Sequence, residues 1–209
     1  DEILSAIDPK QQDERAADGL TAWKKLRGRD DQEGMTLSEK QSLLVLEPKF
    51  LSHLPSFHGA DLKLANLQRA RLKDVHMECA MLTAADLSAA VLDCANLARC
   101  NMEGIRVSGT SFHGAVLIEC QLSFVDLRGV QTFLHANMRK ASLVATRFVA
   151  CNLRGVDFIG ANMANSSARN ADLRGSSLAF AQISGMNLQN TKLDQANLCY
   201  VFGQPSALE

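Results

Sequence analysis

The sequence predicts a solenoid built from a short repeat, and three observations carry that reading. An apolar residue, large everywhere except at Ala168, recurs at every fifth position from Leu62 to Leu198, with a single six-residue step. The residue two places before it is small, most often Ala. A period of five matches neither the 3.6 of a helix nor the 2.0 of a strand, so no ordinary element would keep that face buried. A fixed short period is the mark of a solenoid. Composition agrees. The chain is 46% hydrophobic but only 5% aromatic, with one Trp and one Tyr, so the core is expected to be Leu, Met, Ala and Cys.

Residues 1–56 lack the beat and read as a helical N-terminal linker or cap. Asp8-Pro9 suits a helix start, with Pro at the first helical position. Ala16, Leu20 and Trp23 follow at helical spacing, and Gly28 could end the helix. After a polar connector, Thr36-Leu37-Ser38-Glu39 fits a capping box. The second helix would end near Glu47, before Pro48. The segment holds 8 basic and 11 acidic residues. The chain begins with Asp rather than Met and is read as a piece of a longer protein.

The repeat occupies residues 57–202, followed by a tail over 203–209. It opens Ala60-Asp61-Leu62-Lys63-Leu64, then Ala65-Asn66-Leu67-Gln68-Arg69. The beat falls on 14 positions from Leu62 to Leu127 and 14 from Phe133 to Leu198, on either side of one extra residue within Arg128-Gly129-Val130-Gln131-Thr132. That extra residue is read as a bulge at a corner. At these residues the chain resembles the pentapeptide-repeat proteins, whose pattern is Ala-(Asp/Asn)-Leu-x-x. The resemblance implies an all-β solenoid, a right-handed quadrilateral β-helix of about seven coils with about 20 residues per coil. The central residue and the small residue two before it would point inward, and the other three outward.

Residues 20 apart, or 21 across the insertion, should then stack into columns. One column runs Asn66, Asp86, Arg106, Asp126, Arg147, with alternating charge that favours stacking. Another runs Asp61, Met81, Asn101, Gln121, Ser142, Asn162, Gln182, where amides could hydrogen-bond along the stack. Beyond the insertion lie Arg139, Lys140, Arg147 and Arg154, with Leu134 and His135 facing outward nearby; these six form a candidate partner surface. A solvated face is the simpler and favoured explanation of the basic residues, and an anion or partner site the sharper one. Phe180 and Tyr200 stand 20 apart, with Phe202 close by. They are a candidate C-terminal surface, either folding over the last coil or forming a dimer seam, since an open solenoid end invites pairing.

No catalytic constellation is visible. The five His residues fall on scattered positions without Ser, Asp or Cys partners at a useful spacing. There is no phosphate loop, because Gly sits at turn positions such as Gly104 and Gly155. None of the six Cys forms a Cys-x-x-Cys pair, and Cys100, Cys120 and Cys151 occupy small inward positions, as expected of a reduced cytoplasmic core. Cys100 and Cys120 could stack, so a bridge is geometrically conceivable, though nothing in the spacing indicates one. No cofactor or metal is expected, and no enzyme. There is no apolar run of the roughly 18 residues needed to cross a membrane.

The expectation for function is a non-catalytic protein–protein interaction scaffold, the repeat domain of a larger bacterial protein, of effector or secretion-system accessory type. It would bind another protein, possess no nucleic-acid interface and no membrane insertion, and pair as a homodimer through a helix end. The resemblance offers an alternative, inhibition or protection of DNA gyrase by DNA mimicry, as in the quinolone-resistance branch. Mimicry requires a strongly acidic rod. Residues 57–209 hold 14 basic and 12 acidic residues, which is the wrong sign.

Overall fold

A computed structural model describes residues 57–207. The helices expected over 1–56 lie outside the described residues. From 57 onward the backbone repeats one five-residue unit: an inward small residue, a bridge residue, the inward central residue, then two turn residues. The bridges are parallel and join residues one coil apart: Asp61 to Met81, Asn66 to Asp86, Arg71 to Val91, His76 to Asn96. Each coil therefore has four sides, here termed faces A, B, C and D, centred in the first coil on Leu62, Leu67, Leu72 and Met77. This is a β-helix solenoid, and the inward/outward assignment made from the five-residue beat holds along it.

Backbone hydrogen bonding explains the repeat's composition. In the unit around Leu62 and its neighbours, the bridge N–H donates to the preceding coil, as Met81 N does to Ala60 O at 2.9 Å. The central N–H donates to the following coil, as Leu62 N does to Met81 O at 2.8 Å. The second turn residue also reaches the following coil, with Leu64 N to Thr83 O at 3.0 Å. The small residue closes the turn, with Ala65 N to Leu62 O at 3.1 Å. Where the bridge residue is Asp or Asn, its side chain takes the remaining N–H, on the first turn residue. Asp61 Oδ1 accepts from Lys63 N, Asn96 from Ala98 N, Asn137 from Arg139 N and Asp172 from Arg174 N. Asp and Asn recur there because their short side chains cap this local donor. Asn101 and Asn162 do the same for Glu103 N and Ala164 N, so these amides bond locally and not along the stack as expected.

The second turn residue has a positive φ on every side. Gly serves at several corners, but twenty non-Gly residues adopt φ of 54–63° there, among them Phe124, His135 and Tyr200. The hydrogen bonds on both sides of each corner hold them in this conformation against its usual cost.

The interior is filled by central residues. Phe112, Phe133, Phe148 and Phe158 are fully buried, with Leu and Met between them. Phe148 and Phe158 come from opposite faces of one coil and meet edge to face at 6.1 Å, which shows how narrow the axis is. Where Thr takes the small position, its hydroxyl is satisfied by a core carbonyl: Thr110 donates to Leu87 O at 2.7 Å, and Thr146 to Leu122 O at 2.8 Å. Cys100 and Cys120 remain free thiols that donate to Met77 O and Leu97 O.

The inserted residue is Gln131. Its N–H takes Thr110 O at 2.8 Å, the acceptor a bridge residue would normally use, while Gly109 N shifts to Gly129 O at 2.7 Å. Bridging resumes at once, with Ser111 to Thr132 and Val116 to Asn137 spaced 21 apart, and spacing returns to 20 in the next coil. The chain absorbs the extra residue as an outward bulge at one corner.

Candidate partner-binding site

Face C carries an open groove where its turn residues stack. Leu134, His135, Arg154, Gly155, Arg174, Gly175, Asp194 and Gln195 line about 660 Å³. The cause is local. Gly155 and Gly175 occupy successive corners between His135 and Gln195, so neither corner of this stretch of the column carries a side chain. Arg154 and Arg174, in the adjoining column, make the wall.

The two arginines differ. Arg174 is bidentate to Asp172, with Nε to Oδ1 at 2.8 Å and Nη2 to Oδ2 at 2.6 Å. Hydrogen bonds from Arg174, aided by the more distant charge of Arg154, lower the Asp172 carboxyl to about 2. The Arg154 guanidinium is exposed and makes no hydrogen bond or ion pair among the described residues. At the upper end, His135 meets His113 of the preceding coil edge to face, ring centroids 6.2 Å apart. Two of the His residues that looked scattered in the sequence therefore converge.

The six residues of the sequence-predicted surface are divided. Leu134, His135 and Arg154 come together in the groove. Arg139 lies on face D, 3.8 Å from Asp157, and Lys140 is at the corner beyond it. Arg147 lies on face B, opposite D, 3.8 Å from Asp126. Asp126 is more tightly engaged by Arg128 at 2.5 Å, whose hydrogen bonds lower its carboxyl. The basic residues are thus neighbours in coil order but not in space. The groove adds Arg174, Gly155, Gly175, Asp194 and Gln195. Their signal in the sequence is a spacing of 20 from residues already noted. Charge is also uneven along the rod: residues 131–207 hold 7 basic and 3 acidic residues.

Near the C-terminal end, Phe180 and Tyr200 stack face to face, centroids 5.1 Å apart at 10°. Both stand on the corner after face D and are 52% and 73% exposed, so they line the side of the rod and do not fold over its end. Phe202 is also exposed, and the inward residue Leu198 is 41% exposed.

Among the described residues, no group of three or more His, Cys, Asp or Glu could hold a metal ion, and no helix is long and apolar enough to cross a membrane.

The family comparison agrees with the five-residue repeat. A family model described as pentapeptide repeats matches eight copies over residues 56–93, 95–130 and 151–190. The stretch 131–150, which starts with the inserted Gln131, lies between the matched spans. None of the curated proteins matches the chain in sequence. Among solved structures, it is similar to the pentapeptide repeat protein Rfr23 from the cyanobacterium Cyanothece 51142, at 22% identity over 63% of this chain and 67% of that one, with a TM-score of 0.28. It is also similar to HetL, a pentapeptide repeat protein involved in heterocyst differentiation regulation from Nostoc sp. strain PCC 7120, at 18% identity over 80% and 94%, with a TM-score of 0.23. QnrB1, a plasmid-mediated fluoroquinolone resistance protein, is 16% identical over 57% and 65%, with a TM-score of 0.27. With the family model matching more than half of the chain, and its five-residue unit written in the backbone hydrogen bonds, the chain belongs to the pentapeptide repeat family.

Proposed function

We propose that this chain is a non-catalytic interaction scaffold that binds another protein in the cytoplasm, as the repeat domain of a larger bacterial protein. In this reading the rod is a right-handed quadrilateral helix of about seven coils, close to 34 Å long at the strand spacing of about 4.8 Å, with residues 1–56 forming a helical lead-in. The observation that carries the reading is the separation of roles within the repeat. Inward positions are filled mainly by buried apolar side chains, and the hydroxyls buried among them (Thr110, Thr146, Ser166, Ser176) are spent on backbone carbonyls, so the polar groups open to a ligand lie on flat outer faces held in fixed register. Such a surface suits recognition of a second protein better than enclosure of a small substrate. The stacked Phe180 and Tyr200, with Phe202, form the surface through which two copies would pair.

Gyrase mimicry is the weaker reading. The near balance of 14 basic and 12 acidic residues over 57–209 cannot imitate a phosphate backbone.

The test is an affinity pull-down from bacterial lysate with the full chain, beside a variant in which Arg139, Lys140, Arg147 and Arg154 are reversed to Glu. A protein recovered stoichiometrically by the first and lost by the second supports the scaffold. Recovery of gyrase would move the conclusion to the alternative, and two empty lanes would remove the scaffold reading.

A further inference from the structure

We propose that the face C groove binds an extended peptide segment of a partner protein bearing, in order along the rod, an apolar residue, carboxylates and a basic residue. This rests on the reading of the chain as an interaction scaffold and names what one of its faces recognises.

The order follows from the lining. Leu134 and His135 stand at one end, Arg154 and Arg174 in the middle, Asp194 and Gln195 at the other. Three coil steps at about 4.8 Å give a trough about 14 Å long, enough for about four residues of extended chain. Arg154 has its whole guanidinium available. Arg174 commits one edge to Asp172 and keeps further N–H donors for a ligand. A carboxylate between the two would be held by both.

The groove is not a requirement of the fold. Ala, Asn, Gln and His occupy equivalent corners elsewhere at similar φ. A Cβ on Gly175 would meet nothing within 4 Å. Gly155 differs, since its Cβ would come within 2.9 Å of His135 Nδ1. The space at Gly175 is therefore room that packing does not use.

Charge favours a short acidic segment over a nucleic acid strand. The coils beyond the insertion carry an excess of basic residues, 7 against 3 over 131–207. Yet the trough ends on the Asp194 carboxylate, which would repel a continuing chain of phosphates and attract a Lys or Arg. Apart from His135, no aromatic ring lines it on which bases could stack.

The experiment is fluorescence anisotropy on the full chain with a labelled peptide of sequence Leu-Glu-Glu-Lys between Gly spacers, a scrambled peptide of the same composition, and a duplex DNA oligonucleotide. The variants are Arg154→Glu, which reverses the free charge, and Gly175→Asn, which fills the trough with a residue the same type of corner accepts at Asn165, Asn170 and Asn190. Arg169→Glu, on face B, is the charge-matched control. The expected result is binding of the ordered peptide, weakened at least tenfold by Arg154→Glu and by Gly175→Asn, and less than twofold by Arg169→Glu. Equal losses from Arg154→Glu and Arg169→Glu, equal binding of the scrambled peptide, or absence of binding would overturn the proposal. So would tighter binding of the duplex. If Arg154→Glu and Gly175→Asn still capture the wild-type partner from lysate, the scaffold stands and only the groove assignment fails.

Discussion

Phe112 and Phe133 lie parallel in the core, ring centroids 5.2 Å apart at an angle of 4°, although the inserted residue falls between them in the chain. The extra length is therefore spent entirely at the surface. The buried column passes the bulge without a step.

Truncating either ring should cost what a buried aromatic costs. Phe133→Ala is expected to destabilise the fold by about 3–5 kcal/mol, read as a shifted midpoint in urea denaturation. A loss below about 1 kcal/mol would mean that the stack does not support the neighbouring coils.

Deletion of Gln131 should be tolerated. Thr132 N–H would take over Thr110 O, and Gly109 N–H would return to the usual carbonyl. The expected stability is within about 1 kcal/mol of wild type. Collapse of the deletion variant would show that the bulge is needed to reach the geometry of the following coils.

Leu153→Asp should unfold the adjacent coils, because it puts a carboxylate without a partner at a fully buried position. Arg154→Ala, one residue on and exposed, should change stability by no more than about 0.5 kcal/mol. Matching melting temperatures for the two would contradict the alternation of inside and outside.

The Asp172–Arg174 pair gives a pH dependence of known sign. The Asp172 carboxyl sits at about 2 in the fold, below its ordinary 3.8. A lowered folded-state pKa adds stability above the unfolded value and loses it as pH falls through the folded one. The contribution is at most about 1 kcal/mol, since the pair is at the surface. Asp172→Asn should therefore narrow the drop in Tm between about pH 4 and pH 2. Superimposable acid limbs would show that the pair contributes nothing.

Thiol reactivity should divide the cysteines by position. Cys79, Cys94 and Cys199 are exposed and should be alkylated in the native protein. Burial pushes the Cys120 thiol up, and Cys151 to about 12. These two and Cys100 should react only on unfolding, which peptide mass spectrometry would resolve. Modification of Cys120 under native conditions would imply that its coil opens.

The fold was legible because its rule is local. Each inward position is fixed by residues within the same unit, and the pairing of Phe180 with Tyr200 follows from their spacing of 20. The site was only partly legible because proximity in a solenoid is set by column and face. Arg147 and Arg154 are seven residues apart, yet they stand on different faces. Arg154 and Arg174 are 20 apart and share a wall. The groove itself is written as two glycines, a residue type the corners favour for its φ in any case, so nothing distinguishes Gly175 until the column around it is assembled. The use of Asp and Asn as local caps was hidden for a related reason. A side chain that bonds within its own turn looks, in one dimension, the same as one that bonds along the stack.

Corner side chains such as His135, Phe180 and Gln195 point away from the core, while the backbone that holds them is fixed by bonds they do not make. A change at a corner therefore rewrites what a neighbour would meet without altering the frame that presents it. Selection can explore recognition at these places almost independently of folding, one coil at a time, so a surface suited to a new partner could arise by drift along a single edge of the rod.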